Sequence, residues 1–256
     1  MKCITRVLCV VHSLVLSLAC FATDSEEVLT SIESRAQQLT DLSDHIWDLA
    51  EVGYQETLSS NALKNALLAE GFSIESGVAS IPTAFVASYG SGEPVIAIMG
   101  EFDALPGISQ AAVPVVQKID GKKAAHACGH HLFGAGSVGA AIAVKEWLDR
   151  TETSGTVQFF GTPAEEGGSG KVYMVRAGLF DDVDTVIHWH PASVNSADSA
   201  STLANRSAKF TFTGVSSHAA SAPERGRSAL DAVESMNFMV NLLREHVPSS
   251  TRLPYV

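Results

Sequence analysis

The sequence predicts an α/β protein: a mostly parallel sheet with helices on both faces, then the start of a smaller α+β unit. Two observations carry this. Apolar runs of strand length alternate with segments of helical periodicity from Glu26 onward. Near Asn205 the alternation gives way to a single further strand and helix.

The elements follow in order. Val28, Leu29, Ile32, Ala36, Leu39, Leu42, Ile46 and Leu49 recur at helical spacing and predict a helix over 26–50. A second helix is expected over 58–70, stopped by Gly71. Strands are expected over 84–89 and 95–99, joined by the turn Gly90-Ser91-Gly92-Glu93-Pro94. A helix rich in Gly and Ala follows over 132–148, then a strand over 156–160, a short helix over 170–177 and a strand over 185–189. Beyond Asn205 the pattern reads as a strand over 207–213, a loop over 214–226 and a helix over 228–245. One strand and one helix cannot bury their own apolar faces. The chain is therefore expected to be a fragment whose C-terminal portion is missing.

Composition limits what the protein can be. A chain of 256 residues can bury a full core as one large domain or two smaller ones. A net charge of -11 opposes nucleic acid, which rewards cations that displace its counterions. Lys2 and Arg6 precede an apolar run from Val7 to Leu18, and Ala19-Cys20-Phe21-Ala22 supplies small residues. Residues 1–22 therefore read as a secretory signal peptide, too short for a membrane span. Export, to the periplasm in a bacterial source, is expected. A lipoprotein acylated at Cys20 is the lesser alternative, since Ser17-Leu18-Ala19-Cys20 fits the leucine-first pattern poorly. Loss of Lys2 and Arg6 takes the mature charge from -11 to -13. It also leaves Cys128 as the single cysteine, so no internal disulfide is expected. A lone thiol in an oxidising compartment calls for something to hold it, and a metal would do so.

Three clusters bear chemistry: His126-Ala127-Cys128-Gly129-His130-His131, Gly161-Thr162-Pro163-Ala164-Glu165-Glu166-Gly167-Gly168 and His188-Trp189-His190. Cys128 and His130 are two residues apart, so a looped backbone can turn both toward one ion. Glu165 and Glu166 directly follow an apolar strand; one could bind metal while its neighbour handles a proton. His190 ends a strand before Pro191 and is the better ligand of its pair. Asp103 could orient a ligand from behind, or cap the turn before Pro106. Glu101 could supply a further carboxylate. Each residue also has a plainer reading: a buried cysteine, a hydrogen-bonded core histidine, a solvated acidic pair. A phosphate loop at 167–171 is excluded, because its first glycine is absent at Glu165 and Val172 replaces the hydroxyl residue. Glu101-Asp103, Glu165-Glu166 and His190 each fall where an expected strand ends, which is where ligands bind such sheets.

Taken in order, Gly-Glu-Phe-Asp-Ala-Leu-Pro-Gly from Gly100, His-Ala-Cys-Gly-His from His126, Gly-Thr-Pro-Ala-Glu-Glu-Gly-Gly from Gly161 and Trp-His-Pro from Trp189 resemble the co-catalytic metallopeptidase superfamily of aminoacylases and glutamate carboxypeptidases. Within it the match is to the amidohydrolase branch that holds auxin-conjugate hydrolases. The resemblance covers most of the chain after Glu26. It implies a zinc-peptidase-like catalytic domain over 23–204 and the start of a lid or dimerisation domain over 205–256. It implies two divalent metal ions, with zinc, manganese and cobalt as candidates. Cys128, His130, Glu166 and His190 would be ligands and Glu165 the general base toward a metal-bridged water. The substrate would be a small-molecule amide, an N-acyl or N-aroyl amino acid such as p-aminobenzoyl-glutamate. Gly214-Val215-Ser216-Ser217-His218-Ala219-Ala220 matches the lid motif, so His218 would stabilise the oxyanion across a homodimer or a heterodimer with a related subunit. Two positions depart from the pattern: many relatives carry Asp where Glu101 and His131 stand. The family also draws a last histidine ligand from its C-terminal part, so these residues alone are expected to be inactive or very weak. A dipeptidase of the same mechanism and a non-catalytic metal-binding subunit are the competing readings.

Overall fold

The structure, a computed structural model, describes residues 25–197 and 201–256. The expected signal peptide over residues 1–22, with Cys20, lies outside the described residues. The described residues form two compact units, divided between Ser193 and Val194. Among them, no helix is long and apolar enough to cross a membrane.

In the first unit, residues 25–34 are helical and turn at Arg35 into α1 (Ala36–Leu49). Helix α2 (Thr57–Ala69) stops where Gly71 adopts a positive φ. Five strands make one sheet: β1 (Ser73–Ser76), β2 (Phe85–Ser91), β3 (Val95–Gly100), β6 (Gly155–Gly161) and β7 (Thr185–Ile187), in the order β1-β2-β6-β3-β7. A two-residue pair, β4 (Leu105–Pro106) with β5 (Ala124–Ala125), stands apart. The sheet is mixed rather than mostly parallel. β6-β3-β7 are parallel, whereas β1-β2 and β2-β6 are antiparallel. Strand β1 was not expected, because Ser-Ile-Glu-Ser offers one apolar residue; it forms by pairing along the edge of β2.

Alternation along the strands fills two cores. Phe85, Ala87, Ile98, Val157 and Phe159 face α1, α2 and α3 (His130–Thr151) through Ile46, Leu63, Leu67, Val138, Ala141 and Ile142. Ala84, Val86, Ala97 and Phe160 face the other way, onto Met174 of α4 (Gly170–Arg176) and onto Phe180. From β3 the chain crosses through α3 to β6 on one side. It then crosses through α4, on the opposite face, to β7 on the other side of β3. The crossovers diverge at the carboxyl end of β3, the switch point at which open α/β sheets bind ligands.

Gly134 lets α3 sit tightly there, since a Cβ on it would lie 2.8 Å from the Glu101 carbonyl oxygen. Gly134→Ala is expected to lower stability by about 1–3 kcal/mol, read as a lower unfolding temperature. An unmoved midpoint would mean that this approach is not tight in solution.

In the second unit, α5 (Ala229–Leu243) begins at Ser228, whose hydroxyl accepts from the Asp231 N–H at 3.1 Å. The expected strand over 207–213 is not formed. Its residues alternate, but a strand needs a partner ladder, and among the described residues only an isolated bridge, Val215 to Arg227, occurs nearby.

Candidate metal centre

Every cluster that the sequence placed beyond a strand of the first unit arrives at the switch point. Gly100 and Gly161 are register partners in the parallel β3–β6 pair, so the segments after them leave the sheet level with each other. Cys128 and Gly129 form the turn into α3, and His130 is its first residue. Glu165 and Glu166 sit on a helical turn, Glu165–Gly168, entered through Ala164 in the left-handed region at φ 56°.

Ligand-type atoms of Cys128, His130 and His190 lie within 4.8 Å of one another, and so do those of Glu101, His130 and Glu165. The Cys128 Sγ is 3.5 Å from the His190 Nε2. His190 Nδ1 donates to the Pro191 carbonyl at 2.9 Å, which leaves the Nε2 lone pair on the side of the thiol. His130 is fully buried, and its Nδ1 donates to Asp103 Oδ1 at 2.9 Å. Asp103 Oδ2 accepts from the Glu166 N–H at 2.8 Å. One buried carboxylate thus orients the imidazole and the acidic turn together.

The electrostatics follow from burial and these neighbours. Burial and then the Glu166 carboxylate push the Cys128 thiol up to about 11. Burial works to lower the pKa of His130, but Asp103 and Glu101 outweigh it and raise it to about 10. Burial works to raise Glu101, yet His130 and Lys171 hold it down to about 2. Glu165 is raised by burial first and by Glu101 second. Burial, with Glu101 and Lys171 acting oppositely on it, lowers His188, whose ring packs on Phe133.

The donor set fits a divalent ion. Glu101 Oε2 and His130 Nε2 form a buried ion pair at 2.9 Å, whereas Glu166 Oε1 is buried with no partner among the described residues. Such an atom is costly to leave unsatisfied, and a cation beside it would satisfy it. Thiolate, imidazole and carboxylate are the ligands of a zinc-type site.

The remaining histidines do something else. His126 pairs through Nε2 with the Ile46 carbonyl at 3.0 Å, and its ring lies 5.2 Å from that of His131, which packs on Trp47. Burial lowers both to about 4, so they are neutral packing groups at pH 7. His218 lies in the second unit, where its Nδ1 accepts from the Ala220 and Ser221 N–H groups at 3.2 Å. Sequence reasoning missed Lys171, whose ammonium pairs with Glu101 Oε1. Its signal is present in Gly-Ser-Gly-Lys beside the acidic pair, a pattern that local reading weighs only as a phosphate loop.

A switch-point crevice holding a thiol, imidazoles and adjacent carboxylates has the donor set of a metallohydrolase. The chain belongs to peptidase family M20/M25/M40, whose model matches residues 97–238. It is 46% identical over 226 residues to one of the subunits of p-aminobenzoyl-glutamate hydrolase from Escherichia coli K12, covering 88% of this chain and 47% of that protein. It is 30% identical over 234 residues to the mouse Xaa-Arg dipeptidase, covering 87% and 50%. Among solved structures, the Bacillus subtilis YXEP protein, a dinuclear metal-binding peptidase from the M20 family, matches at a TM-score of 0.52 and 29% identity over 60% of this chain and 42% of that one. An aminobenzoyl-glutamate utilization protein from Klebsiella pneumoniae shares the fold at a TM-score of 0.57 and 19% identity, over 88% and 61%. The chain spans about half the length of the curated relatives it matches.

Proposed function

We propose that this chain carries the metal-binding and proton-transfer residues of an amidohydrolase acting on N-acyl or N-aroyl amino acids. The single observation that carries this is the convergence of Cys128, His130 and His190 beside the Glu165-Glu166 turn. Cys128, His130, His190 and Glu166 would hold the ions, of which two are expected. Bound there, divalent ions supply Lewis acidity toward the amide carbonyl and toward water. Glu165 accepts the proton of the attacking water and returns it to the leaving nitrogen. Burial moves its pKa upward, in the direction a general base at neutral pH needs. In a dimer, His218 of one chain would donate from Nε2 to the oxyanion formed in the other chain's site. Its Nδ1 accepts from two backbone N–H groups, so the neutral ring carries its proton on Nε2.

The 46% identical relative is a subunit of p-aminobenzoyl-glutamate hydrolase, which supports an aroyl amino acid as substrate and a partner subunit. A dimer with itself or a related chain through the second unit rests on the motif around His218. The 30% identical dipeptidase supports the second reading, an unblocked dipeptide. Export is part of the same proposal and rests on the sequence of residues 1–22 alone. The test is hydrolysis of p-aminobenzoyl-glutamate, N-acyl amino acids and dipeptides by the full-length protein loaded with zinc, manganese or cobalt. Release from acylated substrates supports the first reading and release from dipeptides alone the second. No release from metal-loaded protein favours a non-catalytic subunit.

Ion binding should also release protons. Cys128 and His130, at about 11 and about 10, are both protonated at pH 7 when no metal is bound. Loading should expel about two protons per site, and affinity should rise with pH. Calorimetry in buffers of different ionisation enthalpy counts them. No release would remove both residues from the ligand set.

A further inference from the structure

Glu56 is a buried carboxylate that the reaction does not use. It is 0% exposed, and among the described residues no cation pairs with it. A charge-bearing group in that setting is costly, and an apolar side chain would fill the space more cheaply. What it does is visible in its hydrogen bonds. Oε1 accepts from the Ala164 N–H at 2.8 Å, across 108 residues of chain. Oε2 accepts from the Thr83 hydroxyl at 3.0 Å.

Ala164 is the residue immediately before Glu165, and it occupies the left-handed region that non-glycine residues avoid. Something must hold it there. Glu56 grips it through the N–H. Gly53 receives it from its other contact, for a Cβ on Gly53 would lie 3.1 Å from both the Cα and the Cβ of Ala164. Further along the turn, the Tyr54 hydroxyl donates to the Gly168 carbonyl. The segment 53–56, which carries no chemistry of its own, therefore clasps the turn bearing Glu165 and Glu166 at both ends.

We propose that Glu56 is a positioning residue: by accepting from the Ala164 N–H it fixes the left-handed turn that aims the Glu165 carboxylate. This rests on the reading of Glu165 as general base. The role belongs to the acceptor oxygen rather than to charge or bulk, and that makes it separable. Glu56→Met keeps the length and removes the acceptor. Glu56→Gln keeps an acceptor for Ala164 and turns its amide N–H toward the Thr83 oxygen, which can accept.

Both variants are compared in the full-length protein, metal-loaded, folded and at equal metal content. Glu56→Met is expected to lower kcat about tenfold to a hundredfold, with KM within about threefold, the scale of a misaimed catalytic group. It should also speed amide hydrogen exchange in peptides spanning 162–168. Glu56→Gln should restore both to within about threefold of wild type. Wild-type kcat or unmoved exchange in Glu56→Met overturns the proposal, as does a Glu56→Gln no better than Glu56→Met. Should Glu56→Met fail to fold, Glu56→Leu removes the same acceptor with a shorter side chain. Loss of kcat at constant KM then supports the proposal, and wild-type kcat overturns it. Glu165→Gln runs alongside. Full turnover by that variant sinks the reading of Glu165. Its inactivity beside wild-type turnover in Glu56→Met sinks the positioning role alone.

Discussion

Glu165→Gln should cut hydrolysis of the preferred amide by about 10²–10⁴-fold while leaving metal content and the unfolding temperature near wild type. The size follows from what glutamine keeps and loses. It preserves the length and volume of the side chain, so the turn entered through Ala164 is undisturbed. It cannot accept a proton, so water keeps its proton and the leaving nitrogen receives none. Glu165 is about half exposed, with its carboxylate 4.0 Å from the His130 Nε2, beside an expected ligand yet open to solvent. If the loss were accompanied by loss of metal, Glu165 would be a ligand and the assignments of Glu165 and Glu166 would exchange. An active Glu165→Gln would remove it from the chemistry altogether.

Asp103→Asn should weaken metal binding by about 10–100-fold, measured by competition with a chelating dye. Asp103 uses one oxygen for the His130 Nδ1–H and the other for the Glu166 N–H. A carboxylate can accept both. Asparagine has one acceptor and one donor, so one of the two N–H groups must face an N–H₂. Either His130 loses the partner that fixes its tautomer or the acidic turn loses its tie. Unchanged affinity would show that the backbone carbonyl of Asp103, 3.1 Å from the same His130 nitrogen, suffices.

How much of this could be read in advance depended on range. Helices α2 and α3 were legible within one to three residues, because periodicity and stop residues are local. The approach of Glu101-Asp103, Glu165-Glu166 and His190 was legible as an expectation, because each follows a strand and strand ends of one sheet gather, whereas Cys128 and His130, at the entry to α3, were legible through their spacing. The sheet's mixed character was not, since nothing in Phe85–Ser91 reveals that it runs antiparallel to a strand that follows by some 64 residues. Nor were the contacts of Glu101 with Lys171 or of Glu56 with Ala164, which join residues 70 and 108 positions apart. Local patterns report which face a side chain takes, and folding alone decides whom it meets there.

The Glu101–Lys171 pair has a consequence for how the protein is assembled. Glu101, Asp103, Glu165 and Glu166 crowd one pocket, and like charges at such range resist being gathered. Small metal-stapled domains solve this only when the ion arrives, and they are unfolded until then. Here the polypeptide brings its own counter-charge, in the Lys171 ammonium and in a His130 that keeps its proton. Part of the work of gathering these four acids is thereby done by the chain's own side chains.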